Sequence, residues 1–295
     1  MKDQDSLVNS SSVDLDLSSV CTPGCKWNVE LLQVTDSVIL RIMTFNPPQP
    51  VGNPTVVFVA GWISRVVGWE PVLKEMTKDF RVIYVETREK ISSQVHEPAG
   101  YGVAEIAQDL VEVVKRFDLR SDNYVFFGSS LGATAILHSI QYLDQKPRAL
   151  TLIGTNATFS MSTFARTFIR FLPPRLYLIA RPFIKWYLKT FRLKVRNDDI
   201  QFKKYSAALD AADPWKLKKG AIALSTYEVW DLLKDISVPT LLIGASEDNL
   251  HDHGIQKRMA DTLPNGKYLE LKTNTFSHSG MIVVCLRDYL KELGS

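Results

Sequence analysis

The sequence predicts an α/β fold in which a mostly parallel sheet of eight strands carries helices on both faces and an inserted helical cap. Three observations support this prediction. Strand-like and helix-like segments alternate along most of the 295 residues. The later strand-like segments are continuous apolar runs, which are typical of buried parallel strands. The alternation stops between about residues 155 and 237, where a stretch too long for a loop shows helical periodicity instead.

The predicted elements follow one another in a regular order. The first two strands, 27–34 and 37–45, alternate polar and apolar residues, as an antiparallel edge of a sheet does. The later strands are predicted at 55–60, 81–85, 123–128, 148–153, 239–244 and 267–272. The helices outside the insertion are predicted at 69–79, 103–117, 131–143, 253–263 and 280–292. Ligands of such sheets bind beyond the carboxyl ends of the strands, so we expect the functional residues there.

The pentapeptide Gly128-Ser129-Ser130-Leu131-Gly132 lies between an apolar strand and a helix-like stretch. Gly-x-Ser-x-Gly in this setting is the pattern of a nucleophile elbow, in which the serine has a strained backbone. The two glycines let the helix and the strand pass closely. We therefore predict Ser130 as a nucleophile and the backbone N–H of Leu131 as an oxyanion donor.

A general base is expected downstream of such a serine. His278 lies in a loop between the last predicted strand and the terminal helix, where an imidazole would hang over the carboxyl edge of the sheet. His138 lies within the helix that follows the elbow, and His96 precedes the elbow in a polar loop. We therefore predict His278 as the base, with a structural helix cap as the alternative.

The acid of a triad is expected after the strand 239–244. Asp248 follows that strand and would orient the imidazole of His278 and stabilise its charged form. Glu247 is one residue away and remains an alternative for the same role. Asp252 is better suited to cap the next helix.

A second oxyanion donor is expected in the loop after the strand 55–60. The chain there continues as Gly61-Trp62-Ile63, which makes the backbone N–H of Trp62 the best candidate. The side chain of Trp62 can pack against its surroundings at the same time, because the donor belongs to the main chain.

These residues together resemble the α/β-hydrolase superfamily of the type with a helical cap, over about residues 27–292. The matching positions are Gly61-Trp62, Trp69 to Val72, Glu86 to Arg88, Gly128 to Gly132, Asp248 and His278. The resemblance implies the fold and a Ser130–His278–Asp248 triad. It does not specify a substrate.

Three departures from the family pattern border the expected pocket. Ala60 stands where the family usually has histidine before the oxyanion-loop glycine, and Ser129 stands where many members have histidine. The loop after Arg88 reads Glu89-Lys90-Ile91-Ser92-Ser93, where the family usually has glycines. These differences weaken analogies of substrate.

The composition is that of an ordinary soluble globule, with 45% hydrophobic and 23% charged residues. Cys21 and Cys25 lack a second pair of ligands, which argues against a zinc site, and Cys285 fits a packing position. The polar start has no apolar signal core, so a cytoplasmic location is expected. The predicted divisions are a mobile tail at 1–25, a core at 26–155 and 237–295, and a cap at 156–236.

Residues 161–197 of the predicted cap carry nine Lys or Arg and no Asp or Glu. The spacing of Arg181, Lys185, Lys189 and Arg192 places them on one helix face. One interpretation is a basic, aromatic surface that meets anionic lipid at a membrane, and the other is a solvated face whose apolar side covers the pocket. Attraction of anionic substrates is a third. Nucleic acid binding is disfavoured because no recognised motif accompanies the charge.

The predicted function is hydrolysis of a carboxylic ester with an apolar acyl group through an acyl-enzyme, without metal or organic cofactor. A thioesterase or an acyltransferase would use the same triad. A non-catalytic binding scaffold is a further alternative, since a fold does not fix a function.

Overall fold

A computed structural model describes residues 16–49, 52–192, 199–246, 252–271 and 278–294. Its main sheet confirms the predicted eight strands and adds a two-residue strand that the sequence pattern did not indicate. The strands of the whole structure are β1 (Lys26–Thr35), β2 (Val38–Asn46), β3 (Thr55–Val59), β4 (Val82–Glu86), β5 (Gln94–Val95), β6 (Tyr124–Ser129), β7 (Leu150–Ile153), β8 (Thr158–Ser160), β9 (Thr226–Glu228), β10 (Thr240–Ala245) and β11 (Gly266–Leu271).

The order of the main sheet is β1-β2-β4-β3-β6-β7-β10-β11, with β5 paired to β2. The pairs β1–β2 and β2–β4 are antiparallel, and every other pair along this order is parallel. The predicted antiparallel edge is therefore confirmed. The parallel strands β3, β4, β6 and β7 are buried at every position, which explains why they lack a polar alternation.

Helices cover both faces of the sheet. The helices of the described residues are α1 (Glu70–Met76), α2 (Val103–Arg116), α3 (Leu131–Ser139), α4 (Thr163–Phe171), α5 (Leu176–Tyr187), α6 (Asp199–Ala211), α7 (Pro214–Leu224), α8 (Trp230–Leu233), α9 (His253–Thr262) and α10 (Met281–Glu292). One apolar cluster joins the sheet to α2, α3 and α9, and a second joins it to α1 and α10. Asp252 caps α9 by accepting from Gly254 and Ile255, as predicted.

The N-terminal segment differs from the expectation of a tail that extends to residue 25. Leu17, Val20 and Cys21 are buried in the same apolar cluster as α1 and α10. Burial of these apolar side chains offsets the entropy of ordering the segment, and a local count of polar residues does not register it. The predicted tail is therefore too long, and residues 1–15 lie outside the described part.

The chain between β7 and β10, residues 154–239, is here called the inserted segment. It contains α4 to α8 and the antiparallel ribbon of β8 and β9. Its helices α4 and α5 contain no buried residue. Over the described residues, no helix is both long and apolar enough to cross a membrane.

At the elbow, where β6 leads into α3, the helix lies very close to the sheet. A Cβ atom at Gly132 would lie 2.2 Å from the carbonyl oxygen of Val59 in β3. A Cβ atom at Gly128 would lie 2.5 Å from the side chain of Ile136 and 2.9 Å from the Cα of Ala133. Only glycine fits at these two positions, because α3 lies against the backbone of β3 at Gly132 and against β6 at Gly128.

This contact predicts a large cost for the smallest substitution. Gly132→Ala must push α3 away from β3, and we expect a loss of at least about 1–3 kcal/mol in the free energy of unfolding. Gly254→Ala is a matched control, because its Cβ would meet only an exposed Asp252 carboxylate at 3.1 Å. Urea unfolding of the two variants measures the difference. Equal stability of Gly132→Ala and the unmodified protein would contradict the close approach.

Candidate active site

Ser130 is held in a strained backbone conformation between β6 and α3. Its φ is 50° and its ψ is −120°, a combination that non-glycine residues rarely adopt. Its backbone N–H donates to the carbonyl of Ile153 at 2.9 Å, which ties the turn to β7. Such strain persists only where the surroundings enforce it, and here the close packing of α3 does so.

The hydroxyl of Ser130 accepts a hydrogen bond from the side-chain amide of Asn156 at 3.2 Å. The backbone carbonyl of Asn156 in turn accepts a hydrogen bond from the hydroxyl of Thr134 in α3 at 2.8 Å. Asn156 was missed by the sequence analysis. Its position just after β7, at the carboxyl edge of the sheet, is the signal that could have identified it.

His278 lies against a tryptophan that follows the oxyanion-loop region. The imidazole stacks on the ring of Trp69 with centroids 4.7 Å apart and an interplanar angle of 27°. Trp69 is buried and donates its indole N–H to the hydroxyl of Ser64 at 2.9 Å. A rigid, buried ring therefore supports one face of the predicted base. Asp248, Glu247 and residues 274–277 lie outside the described residues.

Gly61 and Trp62 occupy the loop after β3, beside the elbow. A Cβ atom built at Gly61 would lie 3.1 Å from the Cβ of Ser130, so the loop and the predicted nucleophile are in contact. The carbonyl of Gly61 accepts from the backbone N–H of Ser64 at 3.1 Å and from the ammonium of Lys90. Across a trans peptide the N–H points away from the carbonyl, so these two donors fix the direction of the Trp62 N–H.

The ammonium of Lys90 belongs to a buried network beneath this loop. Lys90 forms an ion pair of 2.7 Å with Glu89, and both side chains are at most 4% exposed. The hydroxyl of Thr87 donates to the same carboxylate oxygen at 2.8 Å. Lys90 and Glu89 therefore form a charged support beneath the loop that contains Gly61.

Arg88 anchors the start of the same loop to α2. Its guanidinium contacts both carboxylate oxygens of Asp109, at 2.7 and 2.8 Å, and also donates to the carbonyls of Gly100 and Glu105. Burial is the main cause that raises the pKa of Asp109, and the hydrogen bond from Arg88 opposes it. A bidentate pair of this kind fixes both position and orientation.

The inserted segment contacts these loops at three points. Lys216 of α7 donates to the carbonyl of Lys90 at 2.6 Å, and burial lowers its pKa. The indole of Trp62 packs against Gly220 of α7, and its buried N–H has no hydrogen-bond partner among the residues that the structure describes. The ammonium of Lys204 in α6 lies 4.2 Å from the centroid of Trp69. The sequence did not indicate these contacts, because each joins residues far apart in the chain.

His138 of α3 makes its contacts away from Ser130. The Nδ1 atom of His138 lies 2.7 Å from the hydroxyl of Tyr227 in the inserted segment, and burial lowers the pKa of this imidazole. Within the described residues, no group of three His, Cys, Asp or Glu side chains is arranged to hold a metal ion.

Comparison with known proteins finds similarity to proteins of the α/β-hydrolase fold. No family model matches it. It is 25% identical over 226 residues, 72% of this chain and 81% of the relative, to a Stutzerimonas stutzeri protein named "Putative carbamate hydrolase RutD".

Solved structures agree on the fold. A thermophilic esterase from Thermogutta terrifontis has a TM-score of 0.70 at 21% identity, covering 87% of this chain and 95% of that chain. An enol-lactonase from Burkholderia xenovorans LB400 has a TM-score of 0.73 at 14% identity, covering 88% and 99%. Together with the strand order, these likenesses show that the chain has the α/β-hydrolase fold.

Proposed function

We propose that the chain is a serine hydrolase that cleaves a carboxylic ester through an acyl-enzyme. The observation that carries this proposal is the strained backbone of Ser130 at the start of α3, beside the Gly61 loop. In this arrangement the Ser130 hydroxyl attacks the acyl carbonyl, and His278 accepts its proton. Asp248 orients His278 and stabilises the imidazolium.

The tetrahedral oxyanion is bound by two backbone N–H groups. Leu131 begins α3, and an N–H at a helix N-terminus favours negative charge. Trp62 supplies the other N–H, whose direction is fixed by the two hydrogen bonds to Gly61. His278 gives the proton from Ser130 to the departing alkoxide, which leaves as the alcohol, and then takes a proton from a water that attacks the acyl-enzyme; that proton returns to Ser130 when the acid is released. The hydrogen bond from Asn156 holds the Ser130 hydroxyl in the resting state.

Three related activities use the same residues. A thioester would be cleaved by the same steps, an acyltransferase would accept an alcohol in place of water, and the RutD relative suggests a carbamate. Added alcohols distinguish transfer from hydrolysis by the products. A non-catalytic scaffold is the remaining alternative.

The first experiment labels the protein with a fluorophosphonate probe. Ser130→Ala removes the hydroxyl of the strained residue itself, so we expect labelling and p-nitrophenyl ester hydrolysis to be lost. Ser129→Ala changes the buried neighbouring residue, whose backbone is not strained; it is the matched control and should keep labelling.

Asp248→Asn should lower kcat by about a thousandfold or more, and Glu247→Gln should not. The reverse order would reassign the acid, and labelling of Ser130→Ala would exclude the mechanism.

The support beneath the oxyanion loop gives a second prediction. The double variant Lys90→Met with Glu89→Gln removes the donor to Gly61 without leaving a buried charge unpaired. We expect kcat to fall about 10–100-fold with little change in KM, because a misdirected Trp62 N–H acts mainly in the transition state. Lys115→Met, which removes an exposed ion pair with Glu112, is the control and should leave kcat unchanged. A double variant that keeps its kcat would show that Lys90 does not direct the loop.

We further propose that the inserted segment contacts an anionic membrane surface through α4 and α5. Large apolar side chains project from these helices, with exposures of 82% at Phe164, 79% at Phe171, 75% at Ile179 and 65% at Phe183. Such a concentration of exposed apolar side chains is typical of an interaction site, and the absence of acidic residues over 161–197 favours anionic lipid as the partner.

Three of the basic residues that the sequence suggested for this surface contact α6 instead. Lys185 and Arg181 form ion pairs with Asp210 of α6, at 2.7 and 3.3 Å, and Lys189 lies over the ring of Phe202. The face that the sequence offered as the lipid-binding face is therefore directed at α6. Arg166 and Arg170 instead line a cleft of about 340 Å³ with Thr167 and Ile222, and no ion pair to either is found within the described residues.

Vesicle binding tests this surface. We expect the triple variant Phe164→Ser, Phe168→Ser and Phe183→Ser to bind phosphatidylglycerol-containing vesicles at least about tenfold more weakly, because less apolar area enters the interface. Val284→Ser on α10, another exposed apolar position, is the matched control. Sedimentation with vesicles of anionic and of neutral lipid measures both contributions. Unchanged binding by the triple variant, or none by the unmodified protein, would exclude this role.

A further inference from the structure

Lys204 lies on α6 and extends toward the elements that hold the predicted base. Its aliphatic stem runs over the backbone of Gly68, where a Cβ atom would lie 3.0 Å from its Cε. Its ammonium nitrogen lies 4.2 Å from the centroid of the Trp69 ring. The imidazole of His278 stacks on the same ring, with the two ring centroids 4.7 Å apart. The distance from the ammonium nitrogen to the imidazole centroid therefore cannot exceed the sum of 4.2 and 4.7 Å.

The nitrogen of Lys204 is buried and has no hydrogen-bond partner in the described part of the chain. An ammonium group has three donors, and burial without a partner is costly. The contact with Trp69 compensates only part of this cost. Buried polar groups are nearly always satisfied, so one left open beside a predicted catalytic histidine indicates a missing ligand.

We propose that Lys204 is a specificity-determining residue whose ammonium group binds a carboxylate of the substrate. This inference rests on the proposed serine hydrolase activity of the same site. The preferred ester then carries a negative charge a few bonds from its scissile carbonyl, on an otherwise apolar chain. The flexible stem of lysine lets the ammonium move from its resting place over Trp69 to the incoming carboxylate.

A carboxylate fits this site better than a phosphate. One ammonium balances one negative charge, and within the described residues Lys204 is the lysine or arginine recorded over the ring of Trp69. A dianion would therefore keep an unbalanced charge in a buried site, which is unfavourable. Lysine also lacks the planar fork with which arginine grips phosphate oxygens.

Protonation of Lys204 supports this assignment. Burial lowers its pKa to about 7, and no charged side chain contributes to this shift. A second titratable group, His278, stacks on the same Trp69 ring. A bound carboxylate would raise the pKa, because it stabilises the charged form. Discrimination in favour of an anionic ester should therefore be strong below about pH 7 and weaken as the pH rises.

The experiment compares matched esters with and without a carboxylate. On the acyl side, p-nitrophenyl hemisuccinate is compared with p-nitrophenyl butyrate, and on the alcohol side, acetoxyacetate with ethyl acetate. The quantity compared is the kcat/KM of the anionic ester divided by the kcat/KM of its neutral partner. We expect Lys204→Met to lower this ratio by about 10–100-fold in at least one pair, because a charged hydrogen bond to the substrate is lost. Taking the ratio removes the titration of His278.

Two variants control for structure. Lys203→Met changes the exposed neighbour on the same helix and should keep the ratio of the unmodified protein. Lys204→Arg keeps the charge and should retain part of the discrimination. The pH dependence of the ratio should be present in the unmodified protein and absent from Lys204→Met. Thermal unfolding of Lys204→Met should occur at or above the midpoint of the unmodified protein, because an unpartnered buried amine is removed.

A binding measurement separates this inference from the proposed function. In the Ser130→Ala background, succinate should raise the thermal midpoint, and adding Lys204→Met should abolish that rise. If hydrolysis does not depend on Ser130 but the succinate effect depends on Lys204, the proposed mechanism fails and the anion site stands. If hydrolysis depends on Ser130, but Lys204→Met changes neither the two kcat/KM ratios nor the rise of the thermal midpoint with succinate, the inference is wrong and the proposed hydrolase activity stands.

Discussion

The strained backbone at Ser130 is the constraint on which the rest of the site depends. A φ of 50° at a residue with a side chain is unfavourable, and it persists because α3 is pressed against β3 and β6. That contact requires glycine at 128 and 132. It also fixes the direction in which α3 leaves the sheet, and with it the N–H of Leu131. One local strain therefore determines where a nucleophile and an oxyanion donor can meet.

The loop after β4 supports the neighbouring Gly61 loop through a buried ion pair. A glycine-rich loop would instead reach its neighbours through the conformational freedom of its backbone. Lys90 and Glu89 neutralise each other in a buried position, and another N–H of the Lys90 ammonium donates to Gly61. A charged pair in such a place adds little net stability but specifies geometry, since each partner tolerates few orientations. Lys216 extends the same network to the inserted segment, so the oxyanion loop and α7 are held as one unit.

The sequence predicted the local features of this molecule well. The eight strands, the antiparallel edge, the Asp252 cap and the turn at Ser130 each depend on a short stretch of chain, and the structure has them all. The hydrogen bond of Asn156 to Ser130 and the pairing of Lys185 with Asp210 could not be predicted, because each joins separate segments of the chain. Leu17 shows the same limit, since its burial depends on packing against distant helices.

The inserted segment has two different faces, and its net charge hides this difference. The basic residues of α5 are largely used within the segment, against α6, while aromatic side chains project outward. Lys204 is directed the other way, toward Trp69 and the predicted base, where it has no anionic partner among the described residues. A stable protein would gain by replacing that lysine with an apolar residue, unless a ligand completes the pair. The same segment thus combines an apolar exterior suited to a surface with an interior charge suited to a carboxylate, and the two roles can be separated by mutation because they lie on different helices.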